Sequence, residues 1–164
     1  MSQDSKIALV TVIMIGVLIQ IILAAGDARE TPYGTAVTFS KAYFGLQPDL
    51  ATYMENNGLN EDEVNVADNY LYSKYKEAAS RGYRIIRLKK MLYKIHTRTT
   101  VQDASRATVH VTGTTRIAIN PLFGFVGKLF FLTSPTDIEE TLELVKENGK
   151  WKVSGLPFAL ADAV

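Results

Sequence analysis

The residues that could perform acid–base chemistry are few and lie far apart in the sequence. His96 and His110 are separated by fourteen positions, and no cluster of carboxylates accompanies them. Asp68 and Tyr72 are spaced i, i+4, which places both on one face of a helix, where they are candidates to line a pocket. A catalytic acid or base there would need its pKa shifted by burial. Exposed histidines on polar strand faces, and a solvated Asp beside a half-buried Tyr, are the competing interpretation.

Composition and motifs argue against most other chemistry. The chain has no cysteine, which excludes disulfides, thiolate nucleophiles, iron–sulfur clusters and cysteine-ligated zinc. No phosphate-binding Gly-rich loop, Ser-centred elbow or paired-acid motif occurs. Two distant histidines make no metal site. We therefore expect no catalytic residue, metal or cofactor, and a protein that is not an enzyme is favoured.

The chain begins with a long apolar segment. The nineteen residues from Ile7 to Ala25 carry no charge, and at about 1.5 Å per residue a helix of this length crosses a hydrocarbon layer of roughly 30 Å. A cleaved signal peptide is the alternative, but its apolar part is usually shorter and its start more basic. We predict a tail over 1–6 and a single transmembrane helix over 7–25 in the inner (cell) membrane. We expect the following domain on the periplasmic, or extracytoplasmic, side.

One face of the predicted span could pack against another membrane helix. Gly16, Gln20 and Ala24 recur at i, i+4 and i+8. Small residues allow close approach of two helices, and an amide can form a hydrogen bond between them. A single tolerated Gln in an otherwise apolar span is the alternative.

The pattern after the span is first helical. A linker over 26–33 precedes a helix over 34–45, and "DLATYMENNG" predicts a short helical turn stopped by its Asn-Asn-Gly end. Asn60 followed by Glu63 matches a capping arrangement that would start a second helix ending near Gly82.

The remainder alternates as strands do. The stretch "YRIIRLKKMLYKI" fits either period, and the β-branched residues after Ile95 favour a strand in its second half. "RATVHVTGTTRIAINP" predicts a long strand in which Gly113 marks a bulge. The apolar residues of this strand would share one face: Ala107, Val109, Val111, Ile117 and Ile119. Asn148-Gly149 predicts the type I′ turn of a terminal hairpin. Helices followed by about four antiparallel strands indicate an α+β fold.

Four stretches carry a resemblance to a known fold family: "GTAVTFSKAYFGLQPDLATYM", the helix running into "AASRGY", "ATVHVTGTTRIAI" and "ETLELVKENGKWKVSGL". With them the soluble part resembles the nuclear-transport-factor-two-like, or cystatin-like, α+β roll superfamily, here in a membrane-anchored form. The resemblance implies a roll over 34–158, with two or three helices packed on a curved sheet, and a tail over 159–164. Members include ketosteroid isomerase, polyketide cyclases, and binders of small ligands or proteins, so the fold is implied more strongly than a function.

The segment Leu122–Leu132, "LFGFVGKLFFL", would be apolar on both faces of a strand. It is either a core strand or a surface that faces a partner, because exposed apolar patches usually mark contact sites. Four phenylalanines are the candidate contact residues: Phe123, Phe125, Phe130 and Phe131.

Charge is unevenly distributed although the net charge is only +1. Every charge between Lys41 and Lys74 is acidic, whereas nine basic residues from Lys74 to Arg98 meet only Glu77. The basic stretch could contact anionic lipid headgroups or an acidic subunit, or could be a solvated face.

The combined features favour a non-catalytic accessory or assembly subunit of a membrane complex. Such a subunit would contact other membrane protein subunits and the bilayer, not nucleic acid, with a homodimer through the sheet as a further possibility. The alternative is a membrane-tethered small-ligand binder or acid–base enzyme that uses the pocket of the roll.

Overall fold

The computed structural model describes five stretches of the chain: 11–18, 20, 31–59, 64–117 and 135–161. Contacts divide the chain into two compact units, Met1–Glu30 and Thr31–Val164. The described residues of the first unit are helical. Within the part of the chain that is described, no helix combines the length and apolar character needed to cross a membrane. Most of the predicted span 7–25 lies outside that part, so the span stays a prediction.

The second unit opens with helix α1, Pro32–Gly45. The Thr31 side chain accepts a hydrogen bond from the Gly34 amide at 3.3 Å, and proline occupies the first helical position, where no amide hydrogen is needed. These two residues start the helix slightly before the predicted residue 34. It ends at Gly45 as predicted, because Leu46 adopts a left-handed conformation with φ of 48°.

Two short 3₁₀ turns, Leu50–Tyr53 and Glu55–Gly58, follow α1. The chain leaves the second turn through Asn56, Asn57 and Gly58, all of which have positive φ. Asparagine and glycine tolerate this backbone region better than other residues. The predicted helical turn with an Asn-Asn-Gly stop is therefore confirmed.

Helix α2 covers Val66–Ser80 and begins later than the capping prediction placed it. Its N-cap is Asn65, whose side-chain oxygen accepts a hydrogen bond from the Asp68 amide at 3.0 Å. The predicted cap, Asn60 with Glu63, lies outside the described residues. The correction has a local reason: Asn65 satisfies a free amide of the first turn directly.

Four antiparallel strands form one sheet in the order β1-β2-β3-β4. They are β1 Lys90–Gln102, β2 Arg106–Ile117, β3 Thr136–Glu147 and β4 Lys150–Ser154. Each strand pairs with the next along the described chain. The predicted α+β class with a four-stranded antiparallel sheet is thus confirmed.

The bulge predicted at Gly113 is on the neighbouring strand. Its register shift falls in β1 between Tyr93 and His96, directly across from Gly113. A Cβ atom at Gly113 would lie 3.0 Å from the Leu92 side chain, so glycine allows the bulged strand to approach closely. Strand β1 begins at Lys90, earlier than the β-branched residues after Ile95 had suggested.

The β3–β4 hairpin turns at Asn148-Gly149, with φ values of 50° and 82°. Glu147 pairs with Lys150 across the turn, which leaves a two-residue loop. Positive φ at both central residues defines a type I′ turn, so this prediction is confirmed.

The core lies where α1 packs across the sheet against β1, β2 and β4. The predicted inward face of β2 is buried at Ala107, Val109 and Val111, but Ile117 on the same face is exposed because it ends the strand. Leu160 is fully buried, although a tail was expected from residue 159 onward. The largest fully buried apolar side chains are Phe39, Leu50, Val66, Val109, Val111, Leu142, Leu144, Val153 and Leu160.

Candidate functional site

An open cavity of about 250 Å³ lies between the end of α1, the outer part of α2 and the start of β1. Its lining combines apolar and charged side chains: Tyr43, Phe44, Leu46, Tyr70, Lys74, Glu77, Leu88 and Lys90. The three residues from α2 are spaced i, i+4 and i+7, so a single helix face supplies them. The same spacing is visible in the sequence, but it does not distinguish Tyr70, Lys74 and Glu77 from Asp68 and Tyr72, which are also helically spaced.

Stacked aromatic rings form the apolar side of this cavity. The Tyr43 ring lies between Tyr70, at a centroid distance of 4.7 Å, and Phe158, at 4.6 Å. Phe44 meets Tyr43 edge-on at 5.0 Å. Aromatic pairs at such distances contribute about 0.5–1.5 kcal/mol each beyond their burial. The rings therefore fill the space between the helices and hold α1, α2 and the C-terminal turn together.

The two tyrosine hydroxyls in the stack have structural partners. The Tyr43 hydroxyl accepts a hydrogen bond from the Ala159 amide at 3.1 Å. Burial raises the pKa of Tyr70 far above its ordinary value, and its hydrogen bond with Tyr43 adds to this shift. Both effects keep the Tyr70 hydroxyl protonated at neutral pH, so it is not an anionic base.

The charged rim of the cavity is an ion-pair cluster centred on Glu77. Its carboxylate lies 2.9 Å from Lys74 Nζ and 3.0 Å from an Arg81 guanidinium nitrogen. The hydrogen bond from Lys74, together with the charge of this lysine and Arg81, lowers the pKa of Glu77. Glu77 is therefore an anion with two partners at neutral pH, which is the opposite of the raised pKa that a general acid needs.

We predict that Lys74→Met raises the pKa of Glu77 toward its ordinary value of 4.5. The hydrogen bond from Lys74 favours the charged carboxylate, so its loss makes protonation easier. Because the folded-state pKa lies below the unfolded one, the ion pair stabilises the fold above about pH 4.5 and loses this contribution as pH falls through the folded-state pKa. Carboxyl NMR titration measures the shift. Lys76→Met is the matched control on the same helix, and an equal shift in both variants would contradict the prediction.

The pocket candidates Asp68 and Tyr72 both lie on the exposed side of α2 and do not line this cavity. Asp68 occupies the first turn of the helix. Lys76 Nζ lies over the Tyr72 ring, 4.7 Å from its centroid. Their i, i+4 spacing placed them on one face, but α2 turns a different face toward the cavity.

The two histidines are on strands and away from this cavity. His110 Nδ1 lies 3.1 Å from Thr141 Oγ1, and its Nε2 lies 3.2 Å from a Glu139 carboxylate oxygen across the β2–β3 pair. His96 is exposed on β1. Among the described residues, no group of three or more His, Asp or Glu side chains could hold a metal ion.

The remaining predicted sites are only partly described. Gly16 and Gln20 are in the described helical stretch of the first unit, and both are exposed. Ala24 lies outside the described residues. The same is true of the whole segment Leu122–Leu132 with its candidate contact residues, Phe123, Phe125, Phe130 and Phe131.

Comparisons with known proteins add little to this description. No family model and no curated protein matches the chain. The chain is similar to one solved structure, an NTF-2 like protein of unknown function from Shewanella oneidensis MR-1, at 13% sequence identity and a TM-score of 0.42. The match covers 76% of this chain and 100% of the other. The described residues form an α+β protein in which helix α1 packs on a four-stranded antiparallel sheet. An open cavity with the Glu77 ion pairs at its rim lies beside this helix.

Proposed function

We propose that this protein is a non-catalytic, single-pass accessory subunit of a larger membrane complex. A helix over 7–25 anchors it in the inner membrane, and the α+β roll, of the nuclear-transport-factor-two-like kind, docks on the extracytoplasmic side. The protein then acts by tethering and contact.

The observation that carries this proposal is the helical stretch 11–18. Six of its eight residues are large and apolar, and their side chains are between 49% and 68% exposed: Val12, Ile13, Met14, Ile15, Val17 and Leu18. A helix that is apolar on every side is stable when it is surrounded by other apolar groups, in a protein interior or in lipid. The exposed apolar side chains of this stretch are consistent with lipid as the surrounding medium.

The absence of catalysis is supported by the cavity. Its described carboxyl, Glu77, is held as an anion by Lys74 and Arg81. Among the described residues, every buried side-chain nitrogen or oxygen has a hydrogen-bond partner.

The topology is tested by cysteine labelling, because the chain has no cysteine of its own. Ala104→Cys places a single thiol in the exposed β1–β2 turn. In intact cells a membrane-impermeant maleimide should label this thiol, and alkaline carbonate should not extract the chain from membranes. Labelling only after lysis would contradict the extracytoplasmic location, and extraction by carbonate would contradict the anchor.

Assembly is tested by purification in a mild detergent. We expect the 18.2 kDa chain to migrate in a complex with defined subunits. Gly16→Leu should lower the yield of these subunits, because a bulky side chain prevents close helix approach. Met14→Leu, about 200° around the helix from Gly16, is the matched control and should leave the yield unchanged. Recovery of the wild-type chain only as a free monomer would overturn the proposal.

A second candidate function, small-ligand binding, is favoured by the cavity itself. Its volume of about 250 Å³ is slightly below the range of typical ligand sites. A compound that raises the Tm of the wild-type protein, but not of a Leu88→Trp variant with a filled cavity, would support this candidate. Absence of any such compound from a broad screen would count against it.

A further inference from the structure

The stretch Tyr83–Lys94 carries exposed apolar side chains. Tyr83, Ile86 and Met91 are 45%, 55% and 62% exposed. Their neighbours Ile85 and Leu88 pack against the core and fix the segment in place. Packing of these two residues therefore fixes the backbone that carries the exposed side chains. We call the stretch Tyr83–Lys94 the basic–apolar segment.

The same segment carries only positive charge. Its five basic residues are Arg84, Arg87, Lys89, Lys90 and Lys94, and it has no acidic residue. Within the described part of the chain, none of the five has a carboxylate in ion-pair range. The Arg87 guanidinium lies 5.0 Å from the Tyr83 ring centroid, so charge and aromatic surface are presented together.

Strand β2 adds one more basic residue beside this segment. Arg116 is the register partner of Met91 and shares its face of the sheet, and the Arg116 guanidinium lies 4.9 Å from the Tyr93 ring centroid. The ion pairs among the described residues join Glu77 to Lys74 and Arg81, and Glu139 to His110, and none involves the segment or Arg116. The surface consequently lacks an internal neutralising partner among the described residues.

This combination fits an anionic lipid surface better than an acidic protein. Protein interfaces concentrate apolar residues in a central core from which charged residues are largely absent. In the basic–apolar segment, by contrast, basic residues are interspersed with single exposed apolar side chains. Tyrosine, isoleucine and methionine suit the headgroup boundary, and the long stems of Lys and Arg can lie in apolar surroundings while their charges stay in water. Each Lys or Arg near an anionic leaflet strengthens binding about fivefold.

Chain length places the domain close to the bilayer. This step rests on the proposed membrane anchor. Six residues, 26–31, separate the end of the predicted span from the start of α1, and an extended chain of that length reaches at most about 20 Å. A face of the roll must then remain near the headgroups, within a few Debye lengths.

We propose that the basic–apolar segment docks the roll onto anionic phospholipid headgroups, with Tyr83, Ile86 and Met91 entering the interface. The docking sets which side of the domain faces away from the membrane. It thereby determines the surface that remains open to other subunits.

The test uses the full-length chain with Ile86→Cys, labelled with an environment-sensitive dye and reconstituted into vesicles. In vesicles with about 30% phosphatidylglycerol the dye should show a blue-shifted emission, which about 0.5 M NaCl removes by screening. In pure phosphatidylcholine the emission should stay that of a hydrated dye. The control label at Ala104→Cys, in the β1–β2 turn, should not respond to lipid charge.

A charge variant makes the test specific. Combining Arg84→Gln, Arg87→Gln and Arg116→Gln should abolish the shift at Ile86→Cys. The matched control replaces three exposed lysines elsewhere, Lys41, Lys76 and Lys150, with Gln and should keep the shift. Equal thermal unfolding of both triple variants excludes misfolding as the cause.

Three results would overturn the lipid proposal. The first is a hydrated dye in both kinds of vesicle, and the second is an equal blue shift in both. The third is a shift that requires a co-reconstituted acidic protein, which would assign the segment to a protein partner instead. Carbonate extraction of the same vesicles reports insertion of the chain separately, so failure of the anchor is distinguishable from failure of the docking segment. If the chain does not insert, flotation of the chain with each vesicle type tests the segment directly.

Discussion

Replacing Phe39 with alanine is expected to lower the free energy of unfolding by about 3–5 kcal/mol. Phe39 is fully buried at the centre of α1, and its ring stacks on Phe158 at 6.2 Å. Alanine removes this burial and leaves a cavity, because helix and sheet are both fixed by other contacts and cannot collapse around it. Urea unfolding of the full-length chain, followed by the fluorescence of Trp151, measures the change. This residue is the protein's only tryptophan and is buried in β4.

Tyr33→Ala is the matched control for Phe39→Ala. It removes an aromatic ring from the same helix, but Tyr33 is 52% exposed. Surface substitutions of this type usually change stability by no more than about 0.5 kcal/mol. Equal losses in the two variants would show that α1 does not pack through the Phe39 face.

Leu160→Ala is expected to cost about 2–5 kcal/mol. Leu160 is fully buried within the same core as Leu142 and Leu144, although it lies close to the C-terminus. Its position is supported by the hydrogen bond from the Ala159 amide to the Tyr43 hydroxyl. Loss of the leucine side chain therefore weakens a segment that closes the core, and the same fluorescence measurement applies.

The control for Leu160→Ala is Leu156→Ala, four residues earlier in the same segment. Leu156 is 39% exposed and should cost much less. If Leu160→Ala left stability unchanged, the C-terminal segment would be a tail after all, as the sequence suggested for 159–164.

Short-range features of the fold were predictable from the sequence. The end of α1 at Gly45, the Asn-Asn-Gly stop, and the type I′ turn at Asn148-Gly149 depend on backbone preferences within a few residues. The alternation in β2 likewise indicated its buried face at Val109 and Val111. Local sterics and side-chain period decide these features, so the residues themselves suffice.

Element boundaries were less predictable where two local signals competed. Asn65 rather than Asn60 caps α2, and β1 starts at Lys90, within a stretch that fitted both periods. In each case the alternatives differ little in local free energy. Contacts with the rest of the fold, such as the pairing of Lys90 with Ile117, decide between them.

The candidate cavity was the least predictable feature, because the rotation of α2 about its axis decides it. Tyr70, Lys74 and Glu77 face the cavity, whereas Asp68 and Tyr72 of the same helix face solvent. Both sets obey helical spacing, so periodicity alone cannot select one. The stacking of Tyr70 on Tyr43 selects it, and that contact joins residues from two different helices.

The sequence by itself determined the α+β order of elements, the turns, and the uneven charge with its basic run from Lys74 to Arg98. These follow from local backbone preference and composition. Only the tertiary structure decided that Leu160 belongs to the core, that Glu77 is held by Lys74 and Arg81, and that the basic–apolar segment presents Ile86 outward. Burial and pairing depend on residues distant in the chain, and their free energy is realised only when folding brings those residues together.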